Sequence, residues 1–133
     1  MTIRHRVSAV LIRDKELLLV RRENAQGVYY VFPGGGIENG ETAEEAAVRE
    51  VREEAGIAVE PQRIVTTIEN ENGNNVFIVC EQLDMREPVW QETEKQQPDN
   101  TYAFVWVLIE ELALHTILPI QAKEVVIASV SGL

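Results

Sequence analysis

Cysteine is nearly absent from this chain of 133 residues. Cys80 stands alone, so no internal disulfide can form, and a reducing compartment, the cytoplasm, is the expected location. Its place in the apolar run 76–80 points to core packing rather than to a catalytic thiol. Long apolar runs are missing too. None reaches the roughly 20 residues that a membrane helix needs, and Met-Thr-Ile-Arg-His-Arg leads straight into a strand pattern rather than a signal peptide. Basic residues are scarce: 12 Lys and Arg face 22 Asp and Glu, for a net charge of −10. That balance argues against a nucleic-acid polymer as partner, because phosphate backbones require basic patches. A small phosphorylated molecule stays compatible, provided that cations neutralise the acid where it binds.

The acid is concentrated between Gly35 and Ile57, where Glu38, Glu41, Glu44, Glu45, Glu50, Glu53 and Glu54 meet only Arg49 and Arg52. Thr42 followed by Glu45 is a capping-box signature, residues 43–55 lack Gly and Pro, and Gly56 suits a left-handed stop. A helix over Thr42–Ala55 follows, with Ala47, Val48, Val51 and Ala55 as its buried stripe. Glu50, Glu53 and Glu54 then share one narrow face of its last turns, and Arg49 lies in reach of Glu53 or Glu45. A solvated acidic face is the ordinary explanation of such a helix. Here it conflicts with the negative pole of the helix C-terminus and with like-charge repulsion at i,i+3 and i,i+4 spacing. A bound hard cation removes the conflict, and magnesium fits oxygen ligands shared with substrate phosphates.

The segment resembles the Nudix box, G-x5-E-x7-R-E-U-x-E-E-x-G-U with U a bulky aliphatic residue. Gly35, Glu41, Arg49, Glu50, Val51, Glu53, Glu54, Gly56 and Ile57 fill every specified position. Phe32-Pro33-Gly34-Gly35 before the box and Leu17–Arg22 upstream resemble the family as well. The resemblance implies an α/β/α sandwich around a central mixed β-sheet and hydrolysis of a phosphoanhydride with Mg2+ or Mn2+. It makes Glu50, Glu53 and Glu54 metal ligands, with the Gly35 carbonyl as a further one, and Glu41 with Arg49 a supporting pair. Glu53 is the first candidate to take the proton from the attacking water, and Glu94 the second. The resemblance also leads one to expect another glutamate from the polar segment Asp84–Asn100, of which Glu94 is the choice and Glu92 and Glu87 read as solvated charges.

Gly34, Gly35 and Gly36 would let backbone approach a phosphate closely, the alternative being a plain turn. Arg21 and Arg22, closing a strand that points at this loop, are candidate phosphate contacts, with pairing to surface acids the competing role. Arg4 and Arg6 share a face of the first strand and are weaker candidates. Tyr29, Tyr30 and Trp106 could stack on a base, but aromatic residues in strands more often pack in a core, and His115 is expected in a structural place.

Strands are expected at 4–13 and 16–22 around a tight Asp14-Lys15 turn, then at 28–32, 63–69, 75–83 and 102–107. A helical turn at 110–112 and a helix at 121–130 complete the pattern, with no repeat or linker, so one domain over 1–133 is expected. For function, a MutT-like (deoxy)nucleoside triphosphate pyrophosphohydrolase is the default. Signatures that the family uses for other substrates are missing downstream of the box: between Ala58 and Asn75 the only proline is Pro61, and there is no Tyr or Trp. ADP-ribose, nucleotide sugars and dinucleoside polyphosphates remain alternative substrates, and a silent nucleotide-binding regulatory module is the alternative of another class. The partner is a small nucleotide, with no membrane, and the molecule is expected as a monomer or homodimer.

Overall fold

The computed structural model describes residues 4–130. Strand β1 (Arg4–Arg13) turns into β2 (Glu16–Asn24) through Asp14 and Lys15, both at positive φ (50° and 69°). Two successive left-handed residues match the right-handed twist of the flanking strands. The two strands pair only next to this turn, at Ile12 with Leu17 and Arg13 with Glu16, and then splay apart. Beyond the split, β1 pairs with a short strand β4 (Gly34–Gly36), while β2 pairs with β3 (Gly27–Val31) and with β7 (Thr101–Leu108). The three glycines expected as a loop are therefore strand, with Gly34, Gly35 and Gly36 opposite Ser8, Val7 and Arg6.

The sheet continues outward through β6 (Gly73–Gln82), parallel to β1, to β5 (Val59–Asn70) at one edge. A two-residue β8 (Ile117–Leu118) runs parallel to β3 at the other, so the sheet is mixed, as expected. Strand β5 starts four residues before its expected beginning. Pro61 disfavours regular pairing, but register shifts between Pro61 and Arg63 and between Ile64 and Thr66 absorb it.

Alternation along β1 builds the two faces. Val7, Ala9 and Leu11 join Ala46, Ala47, Val51 and Ala55 of helix α1 (Ala43–Ala55) on one side. Val10, Leu17, Leu19 and Phe77 join Ala122, Val126 and Val130 of helix α2 (Ile120–Val130) on the other. The fold is an α/β/α sandwich. Cys80 lies buried in the first cluster, where burial pushes its thiol up to about 12, in line with a packing role.

The expected capping box forms: Thr42 Oγ1 accepts from Glu45 N, Glu45 accepts from Thr42 N, and Gly56 closes α1 at φ 72°. The buried stripe is rotated from the expected one. Val48 is exposed, whereas Ala46 and Glu54 are buried with Ala47, Val51 and Ala55. The cause is lateral packing: β4 covers the flank of the helix, and the segment after β6 covers its end, where Val89 N and Gln91 N donate to the carbonyls of Ala55 and Glu54. Two orphan carbonyls of the helix C-terminus are thereby satisfied.

Candidate active site

A cleft of about 420 Å3 opens where β1 and β2 part. Gly34–Gly36 form its floor, Glu50, Glu53 and Glu54 of α1 one wall, and Arg4, Arg6 and Arg22 of β1 and β2 the facing wall. The segment between β6 and β7 closes one end with Trp90, Glu92 and Lys95.

Glu54 is the most unusual group in the cleft. It is only 9% exposed, and its Oε1 accepts a single backbone hydrogen bond, from Gly34 N at 3.1 Å. Burial, reinforced by Glu50 and Glu92, pushes its carboxyl up to about 8, against the opposing pull of the Gly34 N–H and of Lys95. Burial also raises Glu50, with Arg49 opposing. The Glu50 carboxylate lies so close to Gly35 that a Cβ there would collide with it, which is why this position has no side chain.

Arg49 organises the rest. Its Nε and Nη2 make paired bonds to both Glu41 oxygens at 2.8 and 2.9 Å, Nη2 also donates to the Gly36 carbonyl at 2.9 Å, and Nη1 donates to Glu50 at 2.9 Å. Glu53 lies farther off, at 3.3 Å. The Arg49 guanidinium and the Glu38 N–H hold the Glu41 carboxyl down at about 2. The pair spans loop, glycine strand and helix with bidentate geometry. Glu45, the other partner open to Arg49 in the sequence, is committed to the cap.

The structure separates candidates that sequence left together. Arg22 faces the cleft; its guanidinium lies 3.7 Å over the Tyr102 ring, Nη2 donates to Asn100 at 2.6 Å, and Nε is buried with no hydrogen-bond partner. Arg21 points to the opposite side of β2, pairs with Glu23 at 3.0 Å, and does not line the cleft. Glu94 is exposed and outside the lining, whereas Glu92 lies in it with its side chain 24% exposed. Glu87 pairs with Arg13, in keeping with an ordinary surface charge. Arg4 and Arg6 do line the cleft.

Trp90, Tyr102 and Lys95 were not singled out by sequence. Trp90 stacks on Tyr102 with ring centroids 4.5 Å apart and donates Nε1 to the Glu92 carbonyl, fixing the turn that presents Glu92 and Lys95. The signal available was a tryptophan in an otherwise polar segment, a residue with little reason to be there unless it packs. Tyr30 packs edge-on with His115, and Trp106 borders the first core cluster under Arg13, so both are structural.

The donor set suits a hard divalent cation. Carboxylates crowd a partly dry site, two of them are raised by burial, and the nearest amide N–H cannot by itself balance Glu54. Among the described residues no three acidic or imidazole groups stand together as a finished coordination shell. Glu50 and Glu53 are instead paired with Arg49, at 2.9 and 3.3 Å.

Fold and cleft define a class: a mixed-sheet α/β/α domain in which helix-borne carboxylates face a glycine strand across the site. A family model of the NUDIX domain matches residues 2–127, and the chain belongs to that family. It is 43% identical over 53 residues to an ADP-ribose pyrophosphatase of Methanocaldococcus jannaschii, a match covering 38% of this chain and 31% of that protein. It is 42% identical over 55 residues to the NAD-capped RNA hydrolase NudC of Photorhabdus laumondii, covering 41% of this chain and 21% of that protein. The matched stretch thus spans about a third or less of these curated relatives. Among solved structures, the E. coli ORF135 protein aligns with TM-score 0.70 and 27% identity over 96% of this chain and 91% of that one. A MutT protein studied in Aliivibrio salmonicida and Vibrio cholerae aligns with TM-score 0.75 and 25% identity over 94% and 96%.

Proposed function

We propose that the chain is a divalent-metal-dependent hydrolase of a nucleoside diphosphate linked to another moiety, and within that class a nucleoside triphosphate pyrophosphohydrolase of the MutT type. The observation that carries this is the cleft itself, where buried Glu54, with Glu50 and Glu53, faces three arginines across the glycine floor. One wall suits cations and the other suits phosphate oxygens, which is what a phosphoanhydride bridged to a metal requires. The likeness to a MutT structure over nearly the whole chain supports it.

Glu50, Glu53 and Glu54, with the Gly35 carbonyl, would hold magnesium or manganese. Such an ion supplies Lewis-acid charge for the phosphate oxygens and acidifies a bound water. Arg22, seated over Tyr102 and tied to Asn100, grips the phosphate chain through its guanidinium. Arg49 keeps Glu41 ionised and ties Gly36 to α1, so the floor keeps its distance from the carboxylates. A carboxylate receives the proton of the attacking water. Glu53, the more exposed of the two and the farther from Arg49, faces the cleft for that task, with Glu50 the alternative. Glu53→Gln is therefore expected to lower kcat by about 100-fold or more. A kcat within about threefold of wild type, read at saturating substrate and metal, passes the role to Glu50.

ADP-ribose is the second reading, favoured by the ADP-ribose pyrophosphatase of M. jannaschii. A panel of nucleoside triphosphates, ADP-ribose, nucleotide sugars and dinucleoside polyphosphates, assayed with Mg2+ for released phosphate or pyrophosphate, decides between them. No turnover of any member, with nucleotide still bound, leaves the regulatory module as the function.

A further inference from the structure

Cations and carboxylates in the cleft are sorted by element. Arg4, Arg6 and Arg22 come from the strands, while Glu50, Glu53, Glu54 and Glu92 come from α1 and from the segment that caps it. Lys95 breaks the pattern. It ends the 3-10 turn Thr93–Lys95, lines the cleft on the carboxylate side, and pairs with Glu92 Oε1 at 3.0 Å.

An i,i+3 pair at a surface is ordinarily of little consequence, worth about 0–1 kcal/mol. Three observations set this one apart. Lys95 lines the same cleft as Glu54, Tyr102 and the glycine floor, so the pair stands at the site and not on the outer surface. Of its three N–H donors, Glu92 takes one, and no other hydrogen bond to Nζ occurs among the described residues. The side chain is 48% exposed, which leaves it free to move, while its backbone is fixed by Lys95 N to Glu92 O at 3.0 Å and by the Trp90 stack. A point charge on a flexible stem above a rigid base is suited to following a phosphate group.

We propose that Lys95 is a substrate-binding residue that contacts the phosphate chain from the end of the cleft that the 84–100 segment closes, leaving Glu92 when a diphosphate or triphosphate enters. Glu92 serves as the resting partner that keeps the ammonium over the cleft. The inference rests on the reading of the cleft as a phosphoanhydride site, and it adds a second phosphate grip supplied by the 84–100 segment.

The test compares wild type with Lys95→Ala and Lys95→Arg. Calorimetric titration of inorganic pyrophosphate with Mg2+ present should show about tenfold weaker binding for Lys95→Ala and substantial recovery in Lys95→Arg. In the substrate assay, KM should rise about tenfold while kcat stays within about threefold. Thermal midpoint and the Mg2+-induced thermal shift should match wild type, which a merely structural role would not allow. Pyrophosphate affinity within about twofold of wild type in Lys95→Ala overturns the proposal. Pyrophosphate binding is read without turnover, so the two readings fail separately. A wild type that binds pyrophosphate but cleaves no substrate sinks the hydrolase reading, while the affinity of Lys95→Ala still decides the role of Lys95.

Discussion

Replacing Glu54 by Gln should abolish the Mg2+-induced thermal shift and lower kcat/KM on the order of a thousandfold, about 4 kcal/mol of barrier, while making the metal-free protein more stable. The two effects have one cause. Glu54 is nearly buried, with its carboxyl raised from 4.5 to about 8, so ionising it costs folding free energy in the absence of a cation. The sign follows from linkage. A carboxyl raised in the folded state carries no penalty below its unfolded value of 4.5, and loses stability as pH rises from there through about 8. Glutamine cannot ionise, and its side-chain oxygen can keep the bond from Gly34 N. The metal-free variant should therefore be about 3 kcal/mol more stable above pH 8, less than the full linkage value because the new amide N–H2 lacks a partner. At pH 4.5 the two proteins should differ little. Urea unfolding in EDTA at both values measures this. Equal stability at high pH would show that Glu54 is not a strained carboxylate, and a retained Mg2+ shift would show that it is not a ligand.

Gly34→Ala should cost at least about 3 kcal/mol, a large share of the total stability of a domain this size. Gly34 has φ 154°, and a Cβ there would run into the carbonyl of Val7 and the backbone of Ser8 on the paired strand β1. Backbone on both sides leaves no flexible group to yield. Gly36 is the internal control: it belongs to the same strand and the same cleft, but a Cβ meets nothing within 4 Å. Gly36→Ala should stay within about 1 kcal/mol of wild type. Chemical denaturation of the two variants side by side checks the contrast. A mild Gly34→Ala would mean that β4 is not held against β1 as described.

The parts of this architecture written in local sequence were legible. Thr42, Glu45 and Gly56 announced the helix and its ends, and the spacing of Glu50, Glu53 and Glu54 fixed a shared face, because a helix turns by a constant angle. The Asp14-Lys15 turn and the flanking strands followed from alternation. What stayed hidden depends on contacts between distant segments. In a strand a one-residue step reverses the face, so Arg21 and Arg22 could not be told apart until β2 was seen paired along β7. Glu92 and Glu94 differ by two positions in a segment with no regular period. Which of them enters the cleft is decided by where that segment docks, through Val89 N, Gln91 N and the Trp90 stack. The rotation of the buried stripe of α1, which hides Glu54 and exposes Val48, has the same origin.

That docking gives the end of α1 a further meaning. Residues just before Gly56 bear the carboxylates, and the carbonyls of the same turn receive the strap that carries Glu92 and Lys95. One turn of helix is thus the common origin from which both halves of the cleft take their coordinates. The flanks of the anchor are tied down separately, Asp84 to Ala58 N and Gln82, Gln96 to the backbone of Tyr102, and Asn100 to Arg22, so the strap also joins the carboxylate wall to the arginine wall.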